Sequence, residues 1–228
     1  QIEISLVKME NHVSKNTGED YLDKFYIPSS DLFKKKFDGM IITGAPVERM
    51  DFDKVDYWDE LCDIMDYARK NVFSTLYICW GAFAGLNHHY NIPKYPLEKK
   101  LSGIFMNEQL TENDPLLRGF DDTFPIPQSR HSTIKKEDIL ANDDLIILAN
   151  SPEAGVTIVK SKSNREIFMT GHLEYDTSTL SEEYWRDTNK GLKVPLPKNY
   201  YPNNNVNLPP SSYWRSTAHL FFSNWLNY

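Results

Sequence analysis

A cysteine, a histidine and a glutamate in this sequence stand where covalent, nucleophilic catalysis needs them. Leu76-Tyr77-Ile78 is an apolar run that stops at Cys79, and small residues follow at Gly81, Ala82, Ala84 and Gly85. The pattern predicts a buried strand, a tight turn carrying Cys79, and a helix close behind it. Free N–H groups at a helix N-terminus favour a thiolate, the reactive form of cysteine. A second apolar run, Ile167-Phe168-Met169-Thr170, ends in Gly171-His172-Leu173-Glu174. Residues two apart at a strand end can point the same way. Glu174 can then accept a hydrogen bond from His172 and fix its tautomer, which completes a Cys–His–Glu triad.

Each residue also has a plainer reading. Free cysteine is among the most buried residue types. The other histidines, His12, His88, His89, His131 and His219, show how little a lone histidine signifies. The Cys79 turn and the His172–Glu174 pair, taken together, outweigh those readings. Cys62 differs, because it shares the apolar face of a helix predicted over 56–70 with Trp58, Leu61, Met65 and Ala68. It is expected to be a core residue.

The elements that must position these groups follow from the same patterning. Strands are expected over 2–7, 37–43, 76–78, 145–149, 156–159 and 167–169, with polar loops at 8–18 and 199–210. Helices are expected after Cys79, over 181–190, and over 216–228, the last docked on the sheet. Strands alternating with helices imply a three-layer α/β sandwich with a mainly parallel sheet. Ligands of such sheets bind at the carboxyl ends of strands, where Cys79 and His172 both fall.

The bulk numbers remove several function classes. The chain has 228 residues, 40% hydrophobic, enough for one well-filled domain. The net charge of -7, with no basic stripe, argues against nucleic acid. No apolar run approaches the roughly 20 residues of a membrane span, and no signal peptide is visible. Two cysteines make no disulfide framework, so a cytoplasmic location is expected. They match no zinc spacing, and His88 and His89 should diverge by roughly 100° on a helix, so no metal is expected. Neither phosphate-loop nor dinucleotide glycine patterns occur.

Beyond these residues, the chain closely resembles the homoserine O-acyltransferase (homoserine transsuccinylase) family of methionine biosynthesis. The matching segments are Met9-Glu10-Asn11-His12-Val13-Ser14-Lys15-Asn16-Thr17, Ile41-Ile42-Thr43-Gly44-Ala45-Pro46-Val47-Glu48, Ile78-Cys79-Trp80-Gly81-Ala82, Pro115-Leu116-Leu117-Arg118-Gly119-Phe120-Asp121-Asp122, Gly171-His172-Leu173-Glu174-Tyr175-Asp176 and Trp214-Arg215-Ser216. The resemblance implies a class I glutamine amidotransferase-like fold and a single acyltransferase domain over 1–228, with a further N-terminal segment in the family ahead of residue 1. It implies an acyl-cysteine at Cys79, a general base at His172 and an orienting Glu174. It also implies substrate contacts by Lys100, Ser129 and Arg186, acyl selection by Glu48 (glutamate going with acetyl), and oxyanion donors at Trp80 and in the Ala45-Pro46-Val47 turn. The partners implied are an amino acid and an acyl-CoA, acetyl-CoA or succinyl-CoA, as co-substrate with no bound cofactor. A homodimer is compatible with the family.

The chain departs from the family at Phe83, Leu173, Gln128 and Asn107. A bulky Phe83 near the nucleophile suggests a remodelled acceptor pocket. Serine, one methylene shorter than homoserine and leading to cysteine synthesis, is therefore carried as an alternative acceptor. A glutaminase or a hydrolase would use the same triad.

Overall fold

A computed structural model describes residues 2–12, 18–163 and 165–227; the 13–17 part of the first matching segment lies outside them. The chain runs β1 (Leu6–Lys8), α1 (Glu19–Phe25), β2 (Tyr26–Pro28), α2 (Ser29–Leu32), β3 (Phe37–Ile42), α3 (Trp58–Asn71), β4 (Val72–Ile78) and α4 (Trp80–Tyr90). It continues through β5 (Tyr95–Gln109), β6 (Thr123–Thr133), α5 (Lys136–Leu140), β7 (Leu145–Ser151), β8 (Gly155–Ser161), β9 (Glu166–Met169), α6 (Thr179–Asn189) and α7 (Arg215–Leu226). The expected strand at 2–7 shrinks to β1, which pairs only with β2 in a separate two-stranded parallel ladder.

The main sheet has seven strands in the order β3-β4-β9-β8-β7-β5-β6. Only β3–β4 and β4–β9 are parallel pairs, and the remaining pairs are antiparallel. The sheet is therefore mixed, where a mainly parallel one was expected. The reason is connection length. β7, β8 and β9 follow one another through tight turns, and a parallel pairing needs a crossover of a dozen or more residues. Helical crossovers exist only where the parallel pairs are, as α3 between β3 and β4.

Helices cover both faces, as expected of a three-layer sandwich. Strand alternation sorts the core. Tyr77 and Phe168 face α3 and α4, packing with Leu61, Met65, Phe83 and Leu86. Leu76, Ile78, Ile167 and Met169 face the other way, toward Ala218 and Phe221 of α7. α7 closes on the sheet through Trp225, whose indole N–H donates to Ser74 Oγ at 3.0 Å. A methyl group at Gly39 would lie 3.1 Å from that ring.

One close approach fixes the position of α4. A methyl group at Gly81 would lie 2.5 Å from the Ile42 carbonyl oxygen and 2.9 Å from that of Thr43. Only glycine lets the first turn of α4 sit against the end of β3 at this distance. Gly81→Ala should therefore lower stability by about 1–3 kcal/mol, the usual range for overpacking. Urea unfolding followed by circular dichroism measures it, and an unchanged midpoint would contradict the close approach.

Candidate active site

Cys79 joins β4 directly to α4. Its backbone is at φ 53° and ψ -116°, outside the regions that residues with a Cβ normally occupy. The conformation turns the chain sharply between the last strand residue, Ile78, and the first helical residue, Trp80. As the first residue of α4, Trp80 carries one of the N–H groups that a helix N-terminus leaves without an intrahelical partner. Gly44 closes the turn from β3: a methyl there would meet Cys79 Cβ at 3.2 Å, Sγ at 3.6 Å and Trp80 N at 3.7 Å. The start of the segment expected to supply oxyanion donors therefore lies against Cys79. Pro46 drops out of that set, because proline has no N–H to give. Trp80, Ala45 and Val47 keep theirs.

His172 and Glu174 come from the carboxyl end of β9, beside β4. His172 Nδ1 and Glu174 Oε1 are 2.6 Å apart. The His172 backbone N–H donates to Pro127 O at 2.9 Å, and its ring stacks on Tyr175 with centroids 4.1 Å apart. The imidazole is thus held on three sides. It is only 6% exposed. Burial on its own draws its pKa down, and is the largest single influence. The charge and hydrogen bond of Cys79, followed by those of Glu174, overcome it and leave the imidazole at about 10. His172 is therefore protonated at neutral pH, and Cys79 is the main reason.

Glu48 approaches the sulfur from the loop after β3. Its Oε1 is 3.8 Å from Cys79 Sγ, while Oε2 accepts from the His131 backbone N–H. Burial pushes this carboxyl above the ordinary glutamate value; the His131 N–H, His172 and Lys100 pull the other way without cancelling it. Lys94 secures the loop, its ammonium donating to Glu48 O at 2.7 Å.

Lys100, Ser129 and Arg186 are brought together, and the residues that gather them were not foreseen. The Lys100 ammonium donates to Glu183 Oε2 and to Asp187 Oδ2, each at 3.1 Å. Ser129 Oγ donates to the same Glu183 oxygen, and Arg186 Nε donates to Asp187 Oδ1 at 2.9 Å. Tyr175 Oη donates to Glu183 Oε1 at 2.7 Å. Burial raises the Glu183 carboxyl, but Ser129, Tyr175 and Lys100 outweigh it and hold the group below its ordinary value. Tyr175 thus links the two halves of the site, with its ring on His172 and its hydroxyl on Glu183. A signal for Glu183 did exist: Glu183, Arg186 and Asp187 are spaced three and four apart, which places them on one face of α6. Lys100 owes its aim to a break in the β5–β6 register between Pro96 and Leu101, since such irregularities redirect a side chain.

Other expectations change. Phe83 is 1% exposed and packs in the core between α4, α3 and the sheet. Gln128 and Asn107 are fully buried, and Leu173 packs in the core beneath α7. Cys62 is half-buried on α3, with burial pushing its thiol up to about 11. His88 and His89 do not splay apart. Their ring centroids are 4.7 Å apart, with His88 bonded to Asp66 at 2.8 Å, because side-chain torsions offset the angle between neighbouring Cα–Cβ bonds. Among the described residues no helix is long and apolar enough to cross a membrane.

The architecture as a whole matches known folds. The structure is similar to a glutamine amidotransferase from Thermotoga maritima, with a TM-score of 0.65 and 12% identity over 100% of this chain and 98% of that one. A glutamine amidotransferase from Methylobacillus flagellatus gives 0.64 at 12% identity, covering 98% and 94%. These establish a class I glutamine amidotransferase-like fold. The homoserine O-acetyltransferase of Methanomethylophilus alvi is 56% identical over the whole chain, which spans 74% of its length. That of Acetivibrio thermocellus is 54% identical, with 75% of its length spanned. Nothing in these relatives supports serine as the acceptor.

If Cys79 is what keeps His172 protonated, removing the sulfur charge should reverse the balance. In Cys79→Ser, burial becomes the ruling influence, and His172 should titrate well below 10 and below its value in the unmodified enzyme. NMR titration of the imidazole measures this, and a His172 still protonated at about pH 9 in the variant would contradict it. The family model for homoserine O-succinyltransferase matches residues 1–228, and the chain belongs to this family of acyltransferases.

Proposed function

We propose that the enzyme transfers an acetyl group from acetyl-CoA to the hydroxyl of L-homoserine, with the acyl group carried in between on Cys79. The observation that carries this reading is His172 held between the Cys79 sulfur and Glu174, with its protonation set mainly by the sulfur's charge. In the first half-reaction the Cys79 thiolate attacks the thioester carbonyl. The tetrahedral oxyanion collapses, the bond to the CoA sulfur breaks, and the departing thiolate takes a proton from His172. The N–H groups of Trp80, Ala45 and Val47 serve as the oxyanion donors in this reading; one such donor contributes about 3 kcal/mol.

Acylation then changes what the histidine can do. The Cys79 sulfur is now a neutral thioester, so the largest influence raising the imidazole is gone and burial prevails. His172 becomes a base at neutral pH. It takes the proton of the homoserine hydroxyl as the oxygen attacks the acyl carbon, a contribution of about 10²–10⁴-fold. Collapse of the second intermediate releases O-acylhomoserine and restores the thiolate. Glu174 keeps the Nε2 side free for both transfers. The acceptor's charged ends fit the second half of the site: its ammonium against Glu183, its carboxylate against Arg186 with Lys100, and Ser129 on the same wall.

Glu48 supplies the acyl preference. A succinyl carboxylate about 4 Å from an ionised Glu48 would be repelled by about 4 kcal/mol at an effective dielectric near 20. Tenfold discrimination needs only about 1.4 kcal/mol.

The acceptor is tested with a panel of homoserine, serine and glutamine. Homoserine should give product with parallel-line, ping-pong kinetics; turnover of glutamine to ammonia, or intersecting lines, would overturn the reading. Glu48→Gly should narrow the acetyl-over-succinyl preference by at least about tenfold in kcat/KM; an unchanged preference would remove Glu48 as the selector. Arg186→Ala should raise the homoserine KM roughly tenfold or more, the loss of a charge-assisted contact, without slowing CoA release in the absence of acceptor. A slowed first half-reaction would place Arg186 elsewhere in the mechanism.

A further inference from the structure

Two adjacent histidines at the far end of α4 and an aspartate on α3 form a cluster that acyl transfer does not use. One ligating atom from each of Asp66, His88 and His89 lies within 4.8 Å of the other two. His88 Nε2 and Asp66 Oδ1 are 2.8 Å apart. Two ligands of one tetrahedral zinc ion, each about 2.1 Å from it, stand roughly 3.3 Å from one another. The cluster therefore brackets the spacing that such an ion needs. Since the two imidazoles do not splay apart, the reason for expecting no metal here falls away.

A buried carboxylate behind the cluster is a second, independent observation. Glu166 on β9 is 2% exposed. Its Oε2 accepts from Tyr90 Oη and lies 3.4 Å from Arg69. Among the described residues its Oε1 has no hydrogen-bond partner, although buried acceptors ordinarily have one. That oxygen is 3.5 Å from His89 Nε2, and Tyr77 Oη is 3.3 Å from the same nitrogen. A neutral imidazole can carry its proton on either nitrogen. A metal on Nδ1 fixes that proton on Nε2, where Glu166 Oε1 can accept it. Carboxylates hold most metal-ligating histidines in this way. His88 and His89 also lie in the last turn of α4, where the helix dipole favours a cation.

We propose that Asp66, His88 and His89 bind a divalent transition-metal ion of the zinc type, with Glu166 orienting His89 from behind. Two imidazoles and one carboxylate suit Zn²⁺, whereas Mg²⁺ and Ca²⁺ take oxygen ligands. A fourth position opens to solvent beside the exposed Asp66. The ion ties α3 to the carboxyl end of α4. Cys79 stands at the opposite end of that helix, about 15 Å away at 1.5 Å per residue. The inference is thus independent of the acyl-transfer reading.

The test is equilibrium dialysis of the tag-free, EDTA-stripped chain against Zn²⁺, with bound metal counted by mass spectrometry. It is run in Cys79→Ser, so that the active-site thiol does not compete for the ion. One equivalent should bind, and a hundredfold excess over Kd should raise Tm by about 5 °C or more. Mg²⁺ should do neither. His88→Ala and Asp66→Asn should each weaken zinc binding about tenfold or more. Both residues lie at least partly at the surface, so neither change threatens the fold, which circular dichroism confirms. Glu166→Gln should weaken binding about tenfold, the loss expected when such an orienting carboxylate is removed. No saturable zinc binding, or binding unchanged in His88→Ala and Asp66→Asn, would overturn the proposal. Unchanged affinity in a folded Glu166→Gln would overturn the role given to Glu166.

Discussion

The site depends on one backbone constraint, the passage from β4 into α4 through a left-handed Cys79. A non-glycine residue held in such a region costs of order 1–3 kcal/mol and persists only where its surroundings dictate it. Here they do. β4 lies inside the sheet between β3 and β9, and α4 is pressed against β3 at Gly81. The lack of a side chain at Gly44 lets the turn after β3 come up against the Cys79 Cβ. The same constraint sets the thiol between the carboxyl end of β4 and the first residue of α4. His172 and Glu174 then need only to leave the neighbouring strand, β9, to complete the triad.

Charge ties the two halves of the site together. The sulfur favours the protonated histidine, Tyr175 carries the contact from that ring to Glu183, and Glu183 gathers Ser129 and Lys100. Binding of an acceptor that competes for Glu183 would therefore be felt next to the base. In the proposed mechanism, loss of the sulfur's charge on acylation would give the histidine opposite duties in the two half-reactions.

The Cys79 turn and the His172–Glu174 contact were legible because their signals are local. An apolar run ending in Cys79 with glycine behind it, and a His-x-Glu at another strand end, each occupy a few residues. The β5–β6 hairpin was not legible. Its first strand carries Glu98, Lys99 and Lys100, and its second carries Pro125 and Pro127, which ordinarily argue against a strand. β6 is an edge strand, where a missing N–H costs little, and this is why the prolines are tolerated. Lys100, Ser129 and Arg186 became visible only through family resemblance, since each depends on Glu183 or Asp187 contacts spanning distant segments. The sheet's mixed character was likewise hidden, because apolar runs reveal strands without revealing their direction.

The central claim is that Cys79 carries the acyl group, and intact-protein mass spectrometry of the enzyme mixed with acetyl-CoA alone tests it most directly. The account predicts a single acetyl group on the Cys79 peptide, one equivalent of CoA released, and loss of the adduct on adding homoserine. CoA release only when homoserine is present, with no adduct at Cys79, would contradict it.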